Sequence, residues 1–208
     1  MKYRLAIFDF DGTLADSLPF LLSVINRLAE RHAFKPIDLD AVPAFRHCSA
    51  REMMRHLDLP AWKLPVVAQS FMALMQQNPQ ATPLFANVDA VLQQLAQAEI
   101  RLALVSSNAR DNVERILGAA NIGLLSHLEC GMSIFGKACR IRKILRQTSV
   151  PASEAIYIGD QITDLEAARQ EGVAFGAVTW GYGSIESLRQ HAPDEEFAQF
   201  TDLLRIAD

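Results

Sequence analysis

The sequence predicts an α/β protein built on a doubly wound parallel sheet, with an all-helical module inserted after the first strand. Short apolar runs of strand length alternate with amphipathic helical stretches over most of the 208 residues, and this alternation is typical of right-handed βαβ crossovers. One long segment near the amino terminus breaks the alternation and shows only helical periodicity. A chain that is 50% hydrophobic and 21% charged can bury the core that such a fold requires.

Four segments have the composition of buried parallel strands. A strand covered on both faces is a short, near-continuous apolar run rather than an alternating one. We predict strands at 4–10, 101–105, 155–159 and 173–178. The first of them ends at two aspartates, Asp9 and Asp11, which glycine and threonine follow directly.

Helical periodicity fills the intervals between these strands. We predict helices of the α/β part at 88–98, 111–120, 138–147 and 165–170. In the first of them Val91, Leu92 and Leu95 lie on one stripe, as expected of a helix that packs on a sheet. Gly172 follows the last one and is typical of a helix end.

The segment from Leu18 to about Leu84 contains no convincing strand. Its helical stretches cover 18–32, 49–57 and 64–77, and prolines separate them. We therefore predict two domains, with hinges near 17–19 and 79–83. They are an α/β core formed by 1–17 and 81–208 and a helical cap formed by 18–80.

The composition argues against polyanionic partners and membranes. With a net charge of −4 and a pI of about 5.7, the chain has no general attraction for nucleic acid or an anionic membrane. There is no long apolar run and no signal-peptide pattern, so we expect a cytoplasmic location. Cys48, Cys130 and Cys139 favour reduced thiols and indicate zinc only weakly, because paired Cys-x-x-Cys spacing is absent. The sequence does not indicate an oligomeric state.

Three of the predicted strands are followed by residues that can bind a metal or take part in catalysis. They are Asp9 and Asp11 after the first strand, Ser106 after the second, and Asp160 and Asp164 after the third, with Lys137 at the head of a helix. Ligands of an open parallel sheet bind outside the carboxyl ends of its strands. If these strands are neighbours, the four carboxylates repel one another unless a cation is present, and an all-oxygen site suits Mg²⁺. A hard divalent ion beside a lysine is in turn a site for phosphate.

This constellation resembles the haloacid dehalogenase (HAD) superfamily of phosphohydrolases in both its residues and their order. DFDGT at 9–13 matches the first motif, Ser106 the second, Lys137 the third and GDQITD at 159–164 the fourth. The helical insertion lies where the family places its first type of cap domain. The wording of DGTLADS and GDQITDLEAA, with the loop at 180–182, is most similar to the phosphoglycolate phosphatase-like branch. The resemblance implies a Rossmann-like core and Mg²⁺-dependent hydrolysis of a small phosphomonoester, phosphoglycolate-like or a sugar phosphate.

The resemblance also implies how the two aspartates of the first motif divide the reaction. Asp9 would be the nucleophile, because a carboxylate is ionised at neutral pH and its acyl phosphate is readily attacked by water. Asp11 would be the general acid for the leaving alkoxide and then the general base for the hydrolytic water.

The remaining motif residues would hold the metal and the transferring phosphoryl group. The implied metal ligands are Asp9, Asp11 through its backbone carbonyl, Asp160, and Asp164 either directly or through a water. The implied phosphate ligands are Ser106, Lys137 and the backbone N–H groups of Gly12 and Ser107.

The stretch FRHCSAREMM at 45–54 occupies the position from which capped members of the family read the leaving group. Arg46, His47 and Arg51 could hold a second anionic group, such as a carboxylate or another phosphate. The alternative is a solvated cap helix with ordinary surface charges.

Other interpretations stay open at this point. Asp9 and Asp11 could simply end a strand in an Asx-turn, Ser106 could cap the next helix, and Lys137 could be a solvated lysine. A phosphomutase of the same superfamily would use the same nucleophile and acid, and a non-catalytic phosphate-binding protein could share the fold. GMSIFGKA at 131–138 resembles a P-loop, but Ala138 stands where the hydroxyl ligand of Mg²⁺ is required.

Overall fold

The computed structural model describes residues 2–38, 40, 50–131 and 136–207, without the side chains of Ala50 and Arg51. Within this part of the chain, six parallel strands form one sheet in the order β3-β2-β1-β4-β5-β6. The strands are β1 (Leu5–Phe8), β2 (Arg101–Val105), β3 (Leu125–Glu129), β4 (Ala155–Gly159), β5 (Ala174–Val178) and β6 (Glu195–Phe197). The predicted α/β fold is confirmed.

The sheet order places β1 at its centre. Phe8 pairs with Leu104 of β2 on one side and with Ile158 of β4 on the other. The strand order changes direction at β1, with β2 and β3 on one side and β4, β5 and β6 on the other. A crevice therefore opens at the carboxyl ends of β1, β2 and β4, where open α/β sheets bind ligands. The three strands that end in chemically active residues are therefore neighbours.

Helices cover both faces of the sheet. They are α4 (Val88–Gln97), α5 (Arg110–Leu124), α6 (Ala138–Thr148), α7 (Ile162–Gln170) and α8 (Ile185–Gln190), with 3-10 segments at Ala152–Glu154 and Phe200–Ala207. Successive residues of β1 alternate between the two layers: Leu5 and Ile7 join one buried cluster, whereas Ala6 and Phe8 join the other. None of the described helices combines the length and the apolar composition that a membrane span requires.

The strand predictions were wrong at three places. β1 ends at Phe8, not at residue 10, because the carbonyl of Phe10 accepts hydrogen bonds from the amides of Leu14 and Ala15 and closes a turn. β3 and β6 were missed. The sequence of β3, LSHLE, is partly exposed at the sheet edge and has no continuous apolar run, and β6 is only three residues long.

A separate group of helices follows β1. They are α1 (Leu18–His32), α2 (Ala50–His56) and α3 (Leu64–Gln77), with a 3-10 turn at Ala61–Lys63. Their apolar faces form a third buried cluster that includes Phe20, Leu28 and Met75. The two connections to the sheet run beside each other: the amide of Asp16 donates to the carbonyl of Pro83 at 2.9 Å. The boundaries of the core and cap domains stay a prediction.

Candidate active site

Asp9 is the first residue beyond β1. Its amide donates to the carbonyl of Ile158 at 2.9 Å, so the ladder with β4 fixes its backbone while its side chain leaves the sheet at the carboxyl edge. The carboxylate is buried, and its Oδ1 lies 2.8 Å from Nζ of Lys137. Burial raises the pKa of Asp9 well above its usual range, and the ammonium of Lys137 opposes that effect.

Lys137 directly precedes α6 and joins two carboxylates. Its Nζ lies 2.5 Å from Oδ1 of Asp164 as well as 2.8 Å from Asp9. Burial alone would lower the pKa of Lys137, but the charges of Asp164 and Asp9 raise it well above its usual value. The two carboxylates therefore favour the cationic form of this lysine.

Asp164 and Asp160 come from the loop and first turn that follow β4. Asp164 lies in the first turn of α7, where its Oδ2 accepts from the amide of Gln161 at 3.3 Å. Asp160 is fully buried, and its Oδ2 accepts from the amides of Tyr182 at 2.7 Å and Gly183 at 3.4 Å. Burial, reinforced by Asp164, raises the pKa of Asp160 to about 7.

Glycines allow the backbone to approach Asp160 closely. A Cβ at Gly181 would lie 2.1 Å from Cβ of Asp160, which is closer than any two such atoms can pack. A Cβ at Gly12 would lie 2.7 Å from Oδ2 of Asp160, and Gly12 also has a φ of +81° that disfavours other residues. Both positions therefore need glycine in this arrangement.

The three buried carboxylates fit a hard divalent cation. Asp9, Asp160 and Asp164 each offer an oxygen, and these oxygens lie within 4.8 Å of one another. Among the described residues, no hydrogen-bond donor reaches Oδ1 of Asp160, although this atom is buried. One lysine cannot neutralise three carboxylates, and an all-oxygen donor set is the kind that Mg²⁺ or a similar ion prefers.

Asp11 lies in a different environment from Asp9. Its Oδ1 accepts from the hydroxyl of Ser17 at 2.6 Å, and the side-chain amide of Asn108 donates to both carboxylate oxygens, at 3.3 and 3.0 Å. The hydroxyls of Ser17 and Tyr182 are also in contact. Burial raises the pKa of Asp11, which the hydrogen bonds from Ser17 and Asn108 partly offset. These contacts fix the carboxyl group of Asp11 on the side of Ser17 and Asn108.

Ser106 follows β2 and is buried. Its hydroxyl oxygen accepts from the amide of Asn108 at 2.9 Å, and because the hydroxyl also carries a proton it can still act as a donor. Ser107 and Lys137 line one cavity of about 320 Å³ between the starts of α6 and α7. The structure thus brings five of the sequence-predicted residues to the carboxyl edge of β1, β2 and β4. They are Asp9, Asp160, Asp164, Lys137 and Asp11, and Ser106 at the end of β2 is a sixth.

The residues predicted for substrate specificity cannot be placed in the same way. Arg46 and His47, with Cys48, lie outside the described residues, and Arg51 belongs to α2 with its side chain outside them. Their role stays a prediction.

Sequence reasoning missed three side chains that support the site. Asn108 and Ser17 hold Asp11, and the hydroxyl of Tyr182 contacts that of Ser17 while its backbone amide donates to Asp160. Asn108 comes two residues after Ser106, and Tyr182 lies in the loop at 180–182, but the contacts of both depend on which strands are neighbours. Only the proximity of Ser17 to Asp11 along the chain gives a local signal.

Comparison with known proteins agrees with this geometry. The family model described as haloacid dehalogenase-like hydrolase matches residues 6–178. The chain is 33% identical to a phosphoglycolate phosphatase from Synechococcus elongatus, over 96% of this chain and 94% of that protein.

Two solved structures share the fold. A haloacid dehalogenase-like family hydrolase from Streptococcus pneumoniae superposes with a TM-score of 0.82 at 19% identity, covering 100% of this chain and 99% of the other. The protein CbbY from Rhodobacter sphaeroides, in complex with xylulose-1,5-bisphosphate, superposes with a TM-score of 0.74 at 20% identity, covering 99% of each chain.

Proposed function

The chain belongs to the haloacid dehalogenase-like hydrolase family, and we propose that it hydrolyses a small phosphomonoester through an aspartyl-phosphate on Asp9, with Mg²⁺ as its cofactor. The observation that carries the proposal is the position of Asp9. It is a buried carboxylate at the end of the central strand, 2.8 Å from a lysine ammonium and grouped with two further carboxylates. A residue that merely ended a strand in a turn would lie at the solvent edge.

Asp9 is the group that attacks phosphorus. A carboxylate oxygen forms the new bond to phosphorus while the bond to the leaving alkoxide breaks, and the product is an acyl phosphate. The ammonium of Lys137 opposes the effect of burial on the pKa of Asp9 and so favours the ionised form that attacks. Lys137 is also suited to bind the oxygens of the transferring phosphoryl group, together with Ser106 and the backbone N–H groups of Gly12 and Ser107.

Asp11 is the group that moves the proton. When protonated it gives its proton to the leaving alkoxide, and when ionised it takes one from the water that attacks the acyl phosphate. Its raised pKa favours the protonated form that the first of these steps requires. Ser17 and Asn108 fix its carboxyl group during both steps.

Three carboxylates are suited to hold the metal. Asp9, Asp160 and Asp164 supply the side-chain oxygens, and Asp11 would add its backbone carbonyl. When bound, the ion would neutralise charge on the phosphoryl oxygens and balance the cluster of carboxylates.

The substrate class follows from the relatives rather than from the geometry. The Synechococcus relative is named as a phosphoglycolate phosphatase, and this name supports a small phosphorylated acid. A sugar phosphate is the second member of the proposed class, in keeping with the bisphosphate ligand of the CbbY structure.

The test is phosphate release from a panel of alkyl phosphates, measured with Mg²⁺ and with EDTA in its place. We expect turnover of at least one small phosphomonoester that EDTA removes and excess Mg²⁺ restores. Turnover that is indifferent to EDTA would contradict the metal proposal. Absence of turnover on every substrate, with folded protein, would favour a phosphomutase that needs a phosphorylated acceptor, or a binding protein without activity.

Replacing Arg46 tests the role predicted for the cap. If Arg46 binds a second anionic group of the substrate, Arg46→Ala raises the KM for that substrate by about 10-fold or more, because a charge-assisted hydrogen bond is lost. The KM for 4-nitrophenyl phosphate, which has no second anionic group, stays within about 2-fold. Equal effects on the two substrates would remove Arg46 from substrate recognition.

A further inference from the structure

Asn108 is a fully enclosed polar side chain between the candidate acid and the cap. It is only 3% exposed, and its amide nitrogen lies 3.0 Å from Oδ2 and 3.3 Å from Oδ1 of Asp11. The same nitrogen lies 3.3 Å from Sδ of Met75, which belongs to cap helix α3. A buried amide that faces a carboxylate on one side and the cap on the other can affect both.

The orientation of this amide is fixed by its neighbours. The side-chain oxygen of Asn108 accepts from the backbone amide of Ala109 at 2.8 Å, and a backbone N–H can only donate. It also accepts from the side-chain nitrogen of Asn112 at 3.1 Å. Rotating the amide by half a turn would place its NH₂ group against two donors and its oxygen against the carboxylate of Asp11, so only the observed orientation satisfies all these groups.

A series of hydrogen bonds connects Asn108 to the end of α3. Asn112 is 1% exposed, and its nitrogen also donates to the carbonyl of Met72 at 3.0 Å. Its oxygen accepts from Arg115 at 3.0 Å, and Arg115 donates to the carbonyls of Met75 at 3.3 Å and Gln76 at 3.2 Å. These carbonyls belong to the last turn of α3, where helix carbonyls lack full backbone pairing; the carbonyl of Met75 also accepts from the amide of Asn78 at 3.2 Å.

We propose that Asn108 is the positioning residue for the general acid Asp11, and that Asn112 and Arg115 connect it to the carboxyl end of cap helix α3. The proposal rests on the proposed function, in which Asp11 protonates the leaving group. Oδ1 of Asp11 accepts from both Ser17 and Asn108, whereas among the described residues Oδ2 accepts only from Asn108. Oδ2 is therefore the oxygen with room for the transferred proton, and Asn108 sets the direction in which it points.

The test compares two leaving groups. An alkoxide needs a proton to depart, whereas 4-nitrophenolate leaves readily without one, so a displaced acid affects the first and spares the second. We expect Asn108→Ala to lower kcat/KM for phosphoglycolate, or for the alkyl phosphate that the panel ranks first, by about 10- to 100-fold. The kcat/KM for 4-nitrophenyl phosphate falls by less than about 3-fold. The isosteric Asn108→Asp keeps the acceptor but replaces the donor with a like charge, and we expect the same selective loss.

Asn121→Ala is the matched control. Asn121 lies in α5 and is also a buried asparagine, 4% exposed, and its amide donates to Asp89 at 2.6 Å and to the carbonyl of Leu117 at 2.9 Å. It has no contact with Asp11, so its loss lowers thermal stability without changing the ratio of the two kcat/KM values. Asn112→Ala is expected to change that ratio in the same direction as Asn108→Ala, by about 3- to 10-fold, because it loosens Asn108 without removing it.

The outcomes separate this proposal from the proposed function. If the wild-type protein is active, two results would overturn the positioning role and leave the proposed function intact. They are equal losses of kcat/KM on both substrates in the Asn108 variants, or no loss in either variant. A selective loss in Asn108→Ala without any change in Asn112→Ala would overturn the connection to the cap. Absence of wild-type turnover would overturn the proposed function, and the role of Asn108 with it.

Discussion

Asp9→Asn is expected to lower kcat by about 10⁴-fold or more on every phosphomonoester that the wild-type protein hydrolyses. The amide has nearly the same shape as the carboxylate, so the turn after β1 and the packing around it are retained. However, an uncharged amide cannot form the acyl phosphate, and no other described carboxylate lies at the end of the central strand beside Lys137. The measurement is phosphate release under saturating substrate and Mg²⁺.

A second readout separates the nucleophile from the metal ligands. Acid quenching during turnover should trap one phosphoryl group on the wild-type peptide that contains Asp9. Hydroxylamine, which cleaves acyl phosphates, should remove this phosphoryl group. Asp160→Asn serves as the control: it weakens metal binding, so its activity recovers in part as Mg²⁺ is increased. Recovery of Asp9→Asn at high Mg²⁺, or a phosphoryl group on another residue, would exclude Asp9 as the nucleophile.

The sequence was sufficient for the fold class because the decisive patterns are local. Runs such as those at 101–105 and 155–159 become strands with those same limits, since each is a short apolar segment bounded by turn residues. The edge strand Leu125–Glu129 lacks that pattern. It forms because β2 offers a free edge, which is a property of the assembled sheet rather than of the segment.

In the candidate site, too, local patterns could be recognised in the sequence, whereas contacts between elements could not. Asp9, Asp11, Asp160 and Asp164 could be selected from the sequence because each follows an apolar run and is followed by turn or helix signals. The pairing of Lys137 with both Asp9 and Asp164 could not, because it depends on α6 and α7 packing side by side. The amide of Asn108 likewise acquires its role only when β2 lies next to β1.

Lys137→Met is expected to destabilise the metal-free protein by about 3–5 kcal/mol, because it leaves buried carboxylates without the cation that joins them. Lys137 acts to lower the pKa of Asp9, so its removal raises that pKa further. A carboxyl group with a raised pKa in the folded state destabilises that state above its unfolded pKa, and it ceases to do so as protons bind at lower pH. The stability loss is therefore larger near pH 8 than near pH 5, which denaturant unfolding in EDTA measures at the two pH values.

Lys143→Met, in helix α6 that follows Lys137, is the matched control. Lys143 pairs with Glu129 at 2.7 Å, but its side chain is 54% exposed, so its loss costs about 1 kcal/mol or less and depends little on pH. Mg²⁺ should recover part of the stability of Lys137→Met, because a bound cation supplies positive charge to the same carboxylates and binds only the folded state. Even with Mg²⁺, the kcat of Lys137→Met should stay about 10²- to 10³-fold below that of the wild type, because the ammonium that would bind the phosphoryl oxygens is still missing. Equal destabilisation of the two lysine variants would show that the carboxylates are balanced by something other than Lys137.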